Sequence, residues 1–188
     1  MLKSSDISSD PNFIRHLSDQ TEKLMRAFRV PVRDSDPKIQ GVLPLIRLGT
    51  HFTNKAIFTF TGKYLYRIEE DNKVITGYEN PIIWILPETG AVLNKPNASM
   101  LRYYQSILVH ELVHFWEVRK IPLKGKEYYV DQREDLDGYF LQSSEFNAYK
   151  IQALFYFNIT SPQELCTSER ELINQLFEAG NEPYRYQS

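Results

Sequence analysis

The chain has 188 residues, 42% of them hydrophobic, and its 22 basic residues face 24 acidic ones for a formal net charge of -2. That length suits one domain with one apolar core, and the balanced charge supplies no broad positive field, so neither nucleic acid nor a membrane surface is expected as a partner. One cysteine, Cys166, excludes an internal disulfide and a thiolate metal cluster.

Residues 1–10 read as a flexible N-terminus, and no apolar stretch follows Lys3 as a Sec signal would require. The densest apolar run, Ile82 to Leu86, is far too short to span a bilayer. The expected location is the cytoplasm, or the exterior by a route that needs no cleaved signal. Residues 11–188 form one expected domain, since no repeat or composition break divides them. Asp10 followed by Pro11 is an N-cap with proline in the first helical position. Phe13, Leu17, Thr21, Leu24 and Phe28 then recur at three and four residues, with Ile14 and Met25 widening the stripe, which predicts an amphipathic helix ending before Pro31. His16 falls on its polar side.

Three prolines and two glycines break the chain between Pro31 and Gly49. Lys55 to Thr61 and Lys63 to Ile68 are rich in β-branched and aromatic residues and predict strand, with Gly62 as a bulge or tight bend. Glu69 to Lys73 is a polar turn, and Val74 to Tyr78 and Ile82 to Leu86 are return strands. The last is apolar on both faces and is expected to be central or covered by a helix.

The second half is helical. Asn97 is an N-cap for a helix running to about Arg119, before Pro122. Ser144 to Asn158 is apolar nearly all round and should be buried. Ser161-Pro162-Gln163-Glu164 has the form of a capping box, Leu165, Leu172, Ile173, Leu176 and Phe177 form the stripe of a last helix, and Gly180 is a candidate C-cap.

Within the helix after Asn97 stands His110-Glu111-Leu112-Val113-His114, the pattern H-E-x-x-H. Residues four apart lie one turn above each other, so both imidazoles reach the same side and can share one ion. Zinc suits two neutral imidazole nitrogens in a tetrahedral site that leaves a position open for water. Glu111 is rotated about 100° around the helix and can address that water instead, as general base and then proton carrier. The apolar residues around the motif, Ile107 to Val109, Leu112, Val113, Phe115 and Trp116, bury it, and polar groups buried there need partners.

The motif resembles that of the zincin metallopeptidases. The resemblance implies zinc ligation by His110 and His114, catalysis by Glu111, peptide or protein as substrate, and an α+β zincin-like fold: an N-terminal helix, a small mostly antiparallel sheet, the motif helix, then C-terminal helices. It also implies that a sheet edge, here among the strands between Lys55 and Leu86, pairs with extended substrate. The metzincin extension is absent, since Glu117 and Lys120 stand where its glycine and third histidine would be, and no histidine follows His114. A carboxylate ligand is implied instead, as in gluzincins, and Glu145 in Ser144-Glu145-Phe146-Asn147-Ala148-Tyr149 is the choice, with Glu134, Asp135 and Asp137 as alternatives. The family's aspartate four residues after the glutamate is replaced by Tyr149.

Tyr128, Tyr129, Tyr139 and Tyr149 lie in the right part of the chain to stabilise an oxyanion, and Asn147 or Gln152 could orient a ligand histidine. His51 lacks a partner at ligand spacing, and Cys166 reads as a small packed thiol. Arg119 to Lys126 is basic and Asp131 to Asp137 acidic, the pattern of a solvated loop or a lid. The sequence thus reads as a zinc-dependent peptidase, narrow in specificity or completed by a protein partner. The rival reading is a non-catalytic binding module that keeps zinc as structural glue.

Overall fold

The computed structural model describes residues 11–30, 45–48, 58–69, 72–85, 98–117, 138 and 142–185. Four helices account for the described core: α1 (Pro11–Ala27), α2 (Ala98–Glu117), α3 (Ser143–Tyr156) and α4 (Glu169–Arg185). None is long and apolar enough to cross a membrane.

The three-four spacing of α1 buries Ile14, Leu17, Thr21, Leu24 and Met25. Thr21 avoids an unmet hydroxyl by donating Oγ1–H to the Leu17 carbonyl at 2.7 Å. The helix stops before Pro31, as its spacing predicts, in a left-handed cap: Arg29 has φ 57°, and the Val30 N–H reaches back to the Met25 carbonyl at 2.8 Å. Asn158 repeats the device after α3, with φ 60° and the Ile159 N–H on the Leu154 carbonyl at 2.9 Å. Arg102 of α2 lies over the Phe155 ring, 3.9 Å from its centroid, and donates to the Phe155 carbonyl in the last turn of α3, which also accepts the Asn158 N–H at 3.1 Å.

The α2 and α3 helices pack most extensively, as their apolar circumferences demand, with α1 against both and α4 against α3. Leu108, Val109, Leu112, Val113, Ile151 and Leu154 are almost fully enclosed between them.

Backbone pairing forms one sheet of β1 (Leu45–Leu48), β2 (Phe58–Glu69) and β3 (Asn72–Ile85) in the order β1-β3-β2. The β2 and β3 strands are antiparallel from Glu69↔Asn72 to Phe58↔Ile85, and the register shifts between Thr61 and Lys63, where Gly62 is expected to bulge. The β1 strand, which sequence reasoning left in the proline-broken stretch, runs parallel to β3.

The expected α+β zincin-like class does not hold. Every residue of the buried core whose burial is described comes from the four helices or from Val30 in the turn after α1, so that core is all-helical, and the sheet meets it where β2 and β3 contact α2. The physical reason is that β-branched runs specify extended backbone without specifying what packs on it, whereas α2 and α3, apolar on nearly every side, bury each other and the stripes of α1 and α4.

Two local expectations are also corrected. The box at Ser161 closes a single 3₁₀ turn, Pro162–Glu164, and does not start the last helix. The Glu164 carboxylate is taken up by the Thr160 and Ser161 N–H groups at 2.6 and 3.3 Å, and α4 starts afresh where Ser168 Oγ accepts the Glu171 N–H at 3.2 Å. Cys166 is exposed, not packed.

Gly180 lies inside α4 and is not its cap. A Cβ there would stand 2.2 Å from Tyr103 Oη and 2.6 Å from Cζ, so the missing side chain lets the α2 tyrosine lie against the α4 backbone. The Tyr103 ring also meets Tyr156 edge-on at 5.8 Å, which limits its retreat. Overpacking costs about 1–3 kcal/mol and outweighs the roughly 1 kcal/mol that alanine gains over glycine in a helix. Gly180→Ala is therefore expected to lower the thermal midpoint by about 2–6 °C, and an unchanged or higher midpoint would show that Tyr103 moves freely.

A buried cation joins α3 to the start of α4. Lys150, 7% exposed, pairs with Glu169 at 3.2 Å, and the carboxylate also sits where the α4 dipole favours it. Because the Glu169 side chain is 39% exposed, water screens part of the loss, and Glu169→Gln should cost about 1 kcal/mol. Urea unfolding would measure this, and no loss would mean that Lys150 finds another partner.

Candidate metal centre

The motif helix α2 is held by the apolar residues that surround the motif, with Leu108, Val109, Leu112, Val113 and Phe115 each at most 1% exposed. That anchoring fixes the rotation of the helix and aims His110 and His114, one turn apart, at the same side. Their Nε2 atoms face each other at 3.1 Å and the rings meet edge-on with centroids 4.8 Å apart. His110 is buried and His114 half-buried.

The opposing group comes from α3. Glu145 stands in the first turn of that helix, 6% exposed, with the fully buried Ala148 one turn further on. Packing of α3 on α2 brings one carboxylate oxygen to 3.5 Å from His110 Nε2 and the other to 3.5 Å from His114 Nε2. His110, His114 and Glu145 form a group that could hold a metal ion, their donor atoms within 4.8 Å of one another.

The donor set fits a cation on chemical and geometric grounds. Two imidazole nitrogens and a carboxylate all present lone pairs to one point, and Glu145 Oε2 is buried with no hydrogen-bond partner. An acceptor left unmet in the interior costs a few kcal/mol, so the arrangement calls for a positive guest. Donors about 2.0–2.1 Å from one zinc ion stand about 3.3 Å apart at the corners of a tetrahedron. The two nitrogens are 3.1 Å apart, close to that edge, and each lies 3.5 Å from a different oxygen of the Glu145 carboxylate. Burial alone would push the Glu145 carboxyl up, but the hydrogen bonds and charges of His110 and His114 outweigh it and hold the group well below the usual carboxylate range. It is therefore ionised at neutral pH, as a ligand must be.

Glu111 occupies α2 between the two histidines, half-buried and outside the three-donor group. Tyr149 lies beside the centre: its ring meets His110 edge-on at 4.5 Å and Phe177 of α4 at 5.0 Å. Burial pushes its phenol up, and the charges of Glu145 and Glu111 push it further, so it stays protonated. Both carboxylates therefore lie within electrostatic reach of one hydroxyl. Gln152 Oε1 is 3.1 Å from His110 Nδ1, in the orienting place that the sequence suggested for it or for Asn147. Asn147 is half-buried on the same helix. Ser106, which holds Gln152 at 3.3 Å, escaped the sequence reading; its signal was its place four residues before His110, on the same stripe of α2. His16 is exposed and pairs with Gln20 at 2.9 Å, away from the centre. The alternative ligands Glu134, Asp135 and Asp137, the tyrosines Tyr128, Tyr129 and Tyr139, and His51 lie outside the described residues, as do the loop charges from Arg119 to Asp131.

No protein-family model, no curated protein and no solved structure matches the chain.

Proposed function

We propose that the protein is a zinc-dependent hydrolase of peptide bonds, with His110, His114 and Glu145 as ligands and Glu111 as general base. The observation that carries this reading is the convergence of two histidine nitrogens and one buried carboxylate, their donor atoms within 4.8 Å of one another, with a second carboxylate on the motif helix between the two histidines. Two neutral imidazoles and one carboxylate favour zinc over the all-oxygen preference of magnesium or calcium. The three ligands among the described residues would leave a fourth position for water, the arrangement of hydrolytic rather than structural sites.

Zinc, when bound, would act as a Lewis acid on the scissile carbonyl and acidify the attacking water to a pKa of about 7. Glu111 takes the proton of that water as its oxygen attacks the carbonyl carbon, then delivers it to the departing amine nitrogen, so the carboxylate is regenerated. Tyr149, half-buried beside His110 and kept protonated by burial and by the two nearby carboxylates, would donate toward the developing oxyanion. Gln152 keeps the His110 ring in its orientation.

The test is a peptide-library digest read by mass spectrometry, with the full chain as purified, stripped with chelator, and reloaded with zinc. Cleavage that disappears on stripping and returns with zinc supports the reading. A chain that binds about one zinc tightly and cleaves nothing, while chelator lowers its thermal midpoint, supports the rival structural-zinc reading instead.

A further inference from the structure

Behind the three donors lies a chain of hydrogen bonds whose direction can be worked out from one end. Ser106 Oγ is 2.6 Å from the Tyr103 carbonyl, an atom that can only accept, so the single Ser106 hydroxyl proton is spent there. Toward Gln152, 3.3 Å away, Ser106 must then accept, and the facing Gln152 atom is its amide nitrogen. The other end of the amide, the acceptor Oε1, therefore faces His110 Nδ1 at 3.1 Å, which requires the proton on Nδ1. Neutral His110 then has a bare Nε2, and this is the atom aimed at His114 and Glu145.

Both relay residues are buried, Ser106 fully and Gln152 at 3% exposed, so water does not compete for these bonds. They come from different helices, and their positions repeat those of the donors they support: Ser106 is one turn before His110 on α2, and Gln152 is two turns after Glu145 on α3. The Tyr149 ring closes another side of the imidazole. A carboxylate at Nδ1 would make the ring a stronger donor and add a second buried negative charge; the neutral amide orients the ring while leaving Glu145 as the anion of the centre.

We propose that Gln152, locked in its amide orientation by Ser106, is a positioning residue that holds His110 in the Nδ1–H tautomer and so presents its Nε2 lone pair to the metal. The role rests on the reading of His110 as a ligand, but the tautomer itself does not require metal.

The test pairs nitrogen-15 NMR of the histidine rings, on zinc-free full chain well above the imidazole titration range, with zinc affinity by chelator competition. The variants are Gln152→Met, which keeps length and loses the acceptor, and Ser106→Ala, a smaller change that serves if the first fails to fold. In the parent, His110 is expected to show the Nδ1–H tautomer. In either variant that signature should give way to a tautomer mixture, and zinc affinity should fall about 10- to 100-fold with an unchanged circular dichroism spectrum. An Nε2–H tautomer in the parent, or variants with unaltered tautomer and affinity, would overturn the proposal. If the tautomer behaves as expected but the parent binds no zinc, the relay stands and the metal reading falls; if zinc binds while the tautomer ignores both variants, the reverse holds.

Discussion

Glu145→Ala is expected to bind zinc at least about 10³-fold more weakly than the parent, because it removes a direct ligand where loss of an orienting neighbour already costs 10- to 100-fold. The carboxylate is the one anionic member of the donor set, and without it His110 and His114 would hold a divalent cation with two neutral nitrogens in a site of little exposure. His110→Ala should show a loss of the same order, since His110 Nε2 stands 3.1 and 3.5 Å from the other two donors. The measurement is metal per chain by elemental analysis, with competition against a chromogenic chelator for affinity. A parent-like zinc content in Glu145→Ala beside a large loss in His110→Ala would move the third ligand to Glu134, Asp135 or Asp137. Parent-like zinc in both would end the two-histidine, one-glutamate site.

The elements of that site differ in how far they could be read from the chain alone. His110 and His114 are related by one helical turn, a local regularity that survives any error about the fold, so the motif spacing was enough to place both nitrogens together. Glu145, 31 residues after His114, depends on packing between two helices, and it was legible only through the resemblance of Glu-x-x-Ala to the gluzincin arrangement, with Ala148 one turn on. Ser106 was not legible, because its part depends on the relative rotation of α2 and α3 within about one residue. The larger failure concerned architecture. Strand composition between Lys55 and Leu86 did foretell the β2 and β3 pairing and the irregularity at Gly62, but inferring an α+β core required knowing which faces bury which, and the described core is helical. Gly180 failed for a related reason: a glycine near a helix end looks like a cap in sequence, and only the Tyr103 ring, its Cζ 2.6 Å from the absent Cβ, shows that close approach is its purpose. At Ser161 the box residues were read correctly and their length wrongly, since Glu164 is drawn back to Thr160 and Ser161 and the chain straightens at Leu165 before α4.

Glu111→Gln separates binding from chemistry most sharply. Glutamine has the shape of glutamate and keeps an acceptor oxygen, but it cannot take a proton from water near neutral pH. Glu111 is not among the three donors, so zinc content should stay at the parent value of about one per chain. The circular dichroism spectrum and chelator sensitivity should be unchanged as well. Turnover of a library-derived peptide should fall about 10²- to 10⁴-fold in kcat with KM little altered, the pattern of a group that acts in the transition state rather than in binding. The half-buried position of Glu111 bears on the size of the effect: a base partly shielded from solvent keeps the proton it collects close to the leaving nitrogen. Retained zinc with retained turnover would reassign the base, and lost zinc would show that Glu111 supports the ligands rather than the reaction.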